Sequence, residues 1–261
     1  MDFKNLLFDI EDGVATVTFN RPKALNALNT ETFHEVGQVI DHIKENDEIS
    51  AVLFTGAGDK AFVAGADLAE ISRKESITDV MEFIELGHDT FRAIELMRKP
   101  VIAAVNGLAL GGGTELAVSC DMRFASENAM FGTPEINLGL IPGWGGTQRV
   151  ARLVGVGLAK EIVMSGEPVT AKRAYEIGLI NRLVAPEDLL PKAKEYAKKL
   201  AAKPGFAMKM AKYAINFGYD LPLDNARMLE IQCASQCFST EDLKEGVSAF
   251  LEKRKPKFKG R

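Results

Sequence analysis

The sequence predicts an α/β core spanning residues 1–190 followed by an all-helical region over 191–261. Three observations carry that reading. Short β-forming runs alternate with helical spacing through the first two thirds of the chain, glycine-rich loops follow the apolar runs, and strand signals cease after Asn181-Arg182-Leu183-Val184.

The elements follow in order. Leu6 to Ile10 and Val14 to Phe19 are β-formers around Glu11-Asp12-Gly13, a hairpin signal. Residues 30–45 switch to helical spacing, with Phe33, Val36, Ile40 and Ile43 on one face and Thr30 as N-cap. Ala51 to Thr55 and Val101 to Val105 are continuous apolar runs of the buried-strand type, Met81 to Met97 is a helix between them, and Met122 to Ala125 is a third strand. From Pro186 onward, Lys/Ala/Leu-rich helical segments are interrupted at Pro204-Gly205, at 218–222 and at Ser239-Thr240, where Ser239-Thr240-Glu241-Asp242 reads as a helix start. Some four helices in so short a stretch make a thin core, so this region is expected to pack on the main domain or on a neighbouring subunit.

Composition narrows the function classes. The chain has 261 residues, 46% hydrophobic and 26% charged, with a net charge of −4, which argues against broad nucleic-acid binding. The lysines between Lys192 and Lys203 are the one candidate basic surface, and their alternation with alanine and leucine reads better as a solvated helix face. Met1-Asp2-Phe3-Lys4-Asn5 has no basic n-region or apolar run, and no apolar stretch reaches membrane-spanning length, so a cytoplasmic protein without membrane attachment is expected. Cys233 and Cys237 lie one helical turn apart, but no histidine or acidic cluster completes a ligand set. Free thiols and no metal are therefore expected, with His34, His42 and His88 in surface or packing roles.

The informative residues are two glutamates in glycine- and proline-rich settings. Glu115 ends Gly111-Gly112-Gly113-Thr114-Glu115, and Glu135 ends Phe131-Gly132-Thr133-Pro134-Glu135, which runs on into Pro142-Gly143-Trp144-Gly145-Gly146. Either acid alone reads equally as a helix-start or turn-capping residue. Together, beside loops that bring backbone close to a ligand, they read as an acid/base pair able to add or remove water. The tract from Asn106 to Gly113 follows a buried strand and opens a helix whose first N–H groups are free, a site for developing negative charge. The loop from Ala61 to Asp67 could present a second N–H beside it. A rival pattern, Gly56-Ala57-Gly58-Asp59-Lys60-Ala61, matches a dinucleotide-binding fingerprint, but no clean helix follows it. No Gly-x-Ser-x-Gly elbow or placed histidine supports a serine or cysteine nucleophile.

Arg21-Pro22-Lys23-Ala24-Leu25-Asn26-Ala27-Leu28, Ala64-Gly65-Ala66-Asp67, the tract from Ala104 through Glu115, the segment from Pro134-Glu135 through Arg149, and the tail Ala249-Phe250-Leu251-Glu252-Lys253-Arg254 together resemble the crotonase (enoyl-CoA hydratase/isomerase) family. The resemblance spans essentially the whole chain. It implies a spiral of ββα turns with a C-terminal helical trimerisation region, assembled as a homotrimer or a dimer of trimers. It implies an acyl-CoA substrate, coenzyme A being part of the substrate, and no separate cofactor. By motif, the N–H groups of Ala66 and Gly112 would hold the thioester oxygen, and Glu115 and Glu135 would be the catalytic pair. Lys23, Ala24, Leu25, Ala64, Asp67 and Leu68 would line the CoA path, and Phe250 and Lys253 would reach a neighbour's CoA site. Both glutamates together point to a hydratase for short 2-enoyl-CoA; relatives resembling Δ3-Δ2 isomerases commonly keep only the later acid. Hydratases for cyclic or branched acyl groups, and RNA-binding or scaffold homologues, are the other readings. Thr114 stands where many relatives have cysteine. Trp144 stands where relatives often have a small residue, and it either packs a helix start or narrows the acyl pocket.

Overall fold

Two short apolar runs flanking a turn are cheapest to satisfy as a hairpin, and two fully apolar runs need cover on both faces. The computed structural model, which describes residues 2–260, places them accordingly. Strand β1 (Leu6–Glu11) pairs antiparallel with β2 (Val14–Phe19). Helix α1 (Thr30–Glu45) leads to β3 (Ala51–Gly56), and every residue of β3 is buried. A second short strand, β4 (Ala61–Val63), precedes α2 (Leu68–Ile71) and α3 (Ile77–Glu95). The same turn repeats: β5 (Val101–Val105) and β6 (Leu108–Leu110) lead to α4 (Gly112–Ser119), and β7 (Met122–Ser126) and β8 (Met130–Gly132) lead through α5 (Gly146–Val154) to α6 (Val156–Ser165). Then come β9 (Val169–Thr170), α7 (Ala171–Glu176), β10 (Arg182–Val184) and helices α8 (Leu189–Ala201), α9 (Gly205–Gly218), α10 (Leu223–Cys237) and α11 (Glu241–Leu251).

In each turn of the spiral the first strand enters a six-stranded sheet of order β1-β2-β3-β5-β7-β10 and the second enters a four-stranded sheet of order β4-β6-β8-β9. Apart from the first hairpin, the large sheet is parallel. Successive residues of its inner strands serve opposite faces. Val52, Phe54, Val101, Ala103 and Val105 join the core shared with α1, α3 and α4. Ala51, Leu53, Ile102 and Ala104 face Leu189, Ala193 and Ala197 of α8. Helix α8, which the sequence reading assigned to the tail, thus closes the second face of the large sheet. Helix α9 is tied to the core by Lys212, whose ammonium lies 2.8 Å from the Asp121 carboxylate, itself bonded to the Val101 N–H.

Three details differ from the sequence expectation. The N-cap of α1 is Asn29, whose side chain accepts from the Thr32 N–H, while Thr30 is the first helical residue. Helix α3 starts at Ile77, because Ser76 and Asp79 form a capping box ahead of the apolar periodicity. The small sheet was not foreseen, since its strands are two or three residues long and carry no periodicity of their own. The lysines of α8 are matched by acids: Lys192 with Asp188, Lys199 with Glu195, and Lys194 and Lys198 with Glu11 and Asp12.

The spiral brings α4 against β4 at Gly113, where a β-carbon would overlap the Val63 carbonyl oxygen. Gly113→Ala is expected to destabilise by about 3 kcal/mol or more, the range of overpacking against backbone that cannot yield. Gly37→Ala, on α1 with nothing within 4 Å of the added carbon, should stabilise by about 0.5–1 kcal/mol. Urea unfolding of the two variants against wild type checks both signs.

Candidate active site

The site is assembled where the second strands of the spiral end. After β6, Gly111 turns the chain at φ +52°, and α4 begins at Gly112. Thr114, in the first turn of α4, has its hydroxyl 2.6 Å from the Ala109 carbonyl and 3.0 Å from the Gly132 carbonyl, sharing one proton between them, and accepts from the Gly132 N–H, so it fastens α4 to β6 and β8. A cysteine there would make these contacts more weakly, which gives the hydroxyl a use beyond small size. Glu115 follows, 1% exposed. Its Oε1 accepts from the backbone N–H groups of Trp144 at 2.7 Å and Gly146 at 2.8 Å. No protein donor reaches Oε2 among the described residues. Glu135 comes from the turn Pro134–Leu138 that follows β8, and its Oε1 lies so close over Gly111 that a β-carbon there would come within 2.5 Å of it. Its Oε2 is buried without a hydrogen-bond partner.

Burial sets the electrostatics. Desolvation pushes the Glu115 carboxyl from its ordinary 4.5 up to about 7, and the nearby Glu135 adds to the rise, against the pull of the Gly146 and Trp144 N–H groups and of Arg149. Glu135 is also raised, by desolvation. Two carboxyls are thus pushed upward beside one another, Glu115 the one raised to about 7.

The backbone donors lie in the same cavity. Gly112 is the first residue of α4, so its N–H has no intrahelical partner. The Ala66 N–H makes no backbone hydrogen bond among the described residues, although its neighbours Gly65 and Asp67 are bonded to Leu28 on either side. Gly65 and Gly111 abut, a β-carbon at Gly111 falling 3.7 Å from Gly65 Cα, so the two loops converge. The cavity encloses about 320 Å³. Ala64, Ala66, Leu68, Gly112, Glu115, Glu135 and Trp144 all line it. Ile71, Lys74, Val80, Phe83, Ile84, Leu110, Leu138, Leu140 and Ile141 complete a mostly apolar wall, five of them from the 70–90 stretch that the sequence reading expects to set acyl preference. The α3 residues among them carry only ordinary helical periodicity in the sequence, and nothing there says which face meets a ligand.

The remaining candidates sit elsewhere. Lys23, Ala24 and Leu25 form a turn outside the cavity lining, where the Leu25 carbonyl accepts from the N–H of the lining residue Ala64 at 3.0 Å. Asp67 does not line the cavity: its carboxylate caps α2 and pairs with Arg21 at 2.7 Å, which holds it below the usual carboxylate range. Phe250 and Lys253 lie at the exposed end of α11, away from this cavity within the chain. Trp144 is both packed and cavity-lining. Its ring meets Phe33, Phe83 and Phe91 edge-on, with centroids 5.0, 5.3 and 5.9 Å away, and it also forms cavity wall. The rival pattern at Gly56 to Ala61 runs directly into β4, a strand where a dinucleotide fold needs a helix start. Among the described residues no group of three His, Cys, Asp or Glu is placed to hold a metal, and no helix is long and apolar enough to cross a membrane.

The chain is similar to known proteins in sequence and in fold. The sequence model of the enoyl-CoA hydratase/isomerase family matches residues 9–261. A short-chain-enoyl-CoA hydratase of Clostridium acetobutylicum is 49% identical over 98% of this chain and 97% of its own, and a crotonyl-CoA hydratase of Syntrophomonas wolfei is 46% identical over 99% of both. The crystal structure of an enoyl-CoA hydratase from Bacillus anthracis superposes with a TM-score of 0.96 at 39% identity, covering 99% of this chain and 100% of that one. With full-length matches in sequence and in fold, the chain belongs to the enoyl-CoA hydratase/isomerase family.

Proposed function

We propose that Glu115 and Glu135 add water reversibly across the double bond of a short-chain 2-trans-enoyl-CoA, giving the 3-hydroxyacyl-CoA. Short-chain enoyl-CoA hydration is the activity that the relatives in Clostridium and Syntrophomonas carry in their names. The observation that carries the mechanism is the convergence, in one apolar cavity, of two carboxyls raised by burial with two backbone N–H groups that have no backbone partner.

The N–H groups of Ala66 and Gly112 donate to the thioester oxygen as an oxyanion hole, drawing electron density from Cβ and stabilising the enolate that develops. One such donor is worth about 3 kcal/mol in the transition state. A water held between the carboxyls loses a proton to Glu115 as its oxygen bonds to Cβ, and Glu135 delivers a proton to Cα. Dehydration runs the same steps backward, so direction belongs to the concentrations of substrate and product. Both chemical steps use groups of the chain and the substrate alone, coenzyme A arriving with the acyl group. The mouth of the cavity at the 23–25 turn, Ala64 and Leu68 receives the CoA portion.

The protein works as a homo-oligomer, a trimer or a dimer of trimers, in the cytoplasm. Support for assembly comes from the large apolar side chains that α10, α11 and the connections beside them leave open, including Leu223 at 83%, Phe238 at 75% and Phe250 at 84% exposure. In such an assembly Phe250 and Lys253 reach a neighbour's CoA site.

Glu115→Gln and Glu135→Gln are each expected to lower kcat by at least about a hundredfold with crotonyl-CoA, as for loss of a general acid or base; near-normal turnover in either would overturn the mechanism. The raised Glu115 carboxyl also ties stability to pH. Its proton is held more tightly in the folded than in the unfolded chain, so folded stability is full below pH 4.5 and falls as pH rises toward about 7. Glu115→Gln escapes that loss and should be more stable than wild type by up to about 3 kcal/mol above pH 7, with no advantage below 4.5. Denaturant unfolding at the two pH extremes checks it. Trp144→Ala should raise turnover of a C10 enoyl-CoA relative to C4; an unchanged ratio would remove Trp144 from the determinants of chain length.

A further inference from the structure

The turn that holds Glu115 is itself poorly braced by sequence. It consists of Pro142-Gly143-Trp144-Gly145-Gly146, and three glycines in five residues give it wide backbone freedom when nothing fastens it. Gly145 sits at φ +103°, and its missing side chain leaves room for the guanidinium of Arg149, which a β-carbon would overlap. Arg149, on α5, donates from Nη1 to the Trp144 carbonyl at 3.0 Å. Its Nε and Nη2 both donate to Glu95 Oε2 on α3, at 3.2 and 2.8 Å, and Arg92 meets the same carboxylate at 3.0 Å. The Arg149 side chain is only 15% exposed, so these bonds are poorly replaced by water.

Resting on the reading of Glu115 as catalytic, we propose that Arg149 is a positioning residue for it, acting through the peptide groups of residues 144–146. The guanidinium, anchored by Glu95, fixes the Trp144 carbonyl and so the two N–H groups that grip Glu115 Oε1, leaving Oε2 toward the water. The arrangement couples three helices, α3, α4 and α5, at one turn. It also puts a fixed cation behind the carboxylate. The titratable groups around Glu115 are Glu135 beside it, Lys74 in the same cavity wall, Arg149 behind the turn, and then Glu95, Arg92 and the nearby His88 on α3. Lysine cannot replace the fork, because one ammonium cannot span the carbonyl and the Glu95 carboxylate with the same planar geometry.

Steady-state hydration of crotonyl-CoA, followed from about pH 5.5 to 9, tests this in wild type, Arg149→Met, Arg149→Lys and Glu115→Gln. Arg149→Met should lose about tenfold or more in kcat with KM within about twofold, since misplacement of a reacting group lowers the rate without touching CoA binding. Its kcat/KM limb governed by Glu115 should move to higher pH, because the cation that favours the ionised carboxylate is gone. Arg149→Lys should keep that limb near its wild-type position while kcat remains depressed. Wild-type kcat and pH profile in Arg149→Met would overturn the proposal. Should Arg149→Met fail to fold, Glu95→Gln loosens the clamp with the arginine in place; a lowered kcat at unchanged KM supports the proposal and a wild-type kcat overturns it. Loss of turnover in Glu115→Gln with full turnover in Arg149→Met removes this inference alone, whereas full turnover in Glu115→Gln removes the catalytic reading beneath it.

Discussion

A carboxyl group closed off from water must be given hydrogen bonds by the protein, and the rest of this structure is arranged around that requirement at Glu115. Its ionised form would be severely penalised in the apolar interior, and its neutral form useless as a base. Two N–H groups from a single turn hold one oxygen and moderate the penalty without abolishing it, so the proton stays exchangeable near neutrality. Meeting that need takes an α4 seated close on β4, a turn after β8 that brings Glu135 over Gly111, and a helix α5 that begins where the holding turn ends. The spiral supplies all three because each of its turns delivers a strand end and a helix start to the same place.

The large sheet provides rigidity, not chemistry. Its buried strands are covered by α8 on one face and by the site-bearing elements on the other, so the loops that converge at Ala66 and Gly112 hang from a frame with little freedom. Glycine serves here where two backbones must touch: at Gly113 the absence of a side chain lets the helix reach its seat.

Much of this was legible from residues alone. Continuous apolar runs at 51–55 and 101–105 are unambiguous as buried strands, and the glycine tract before Glu115 marks a backbone in close approach to something. What escaped was short or depended on distant partners. The strands of the small sheet owe their existence to neighbours along the spiral, since β6 has no reason to be extended until β4 and β8 lie beside it. The pairing of Asp67 with Arg21, forty-six positions away, needs the fold to become visible. Likewise, nothing in Glu95 or Arg149 as letters says that they meet. Trp144 was legible as an anomaly but not as a solution, because its three phenylalanine neighbours come from two helices.

The slot that receives Trp144 has a consequence for how such chains diversify. A β-carbon at Gly112 would lie 2.5 Å from the indole ring, and one at Gly87 would collide with it from the other side. Indole and glycines are therefore one unit of variation: losing the tryptophan leaves an unfilled slot, and enlarging either glycine first forces the ring out of place. Single steps in any of the three directions therefore disturb the packing until a matching step accommodates them. Epistasis of this kind should make the three positions covary among homologues, and it makes the width of the acyl pocket a property that changes in jumps.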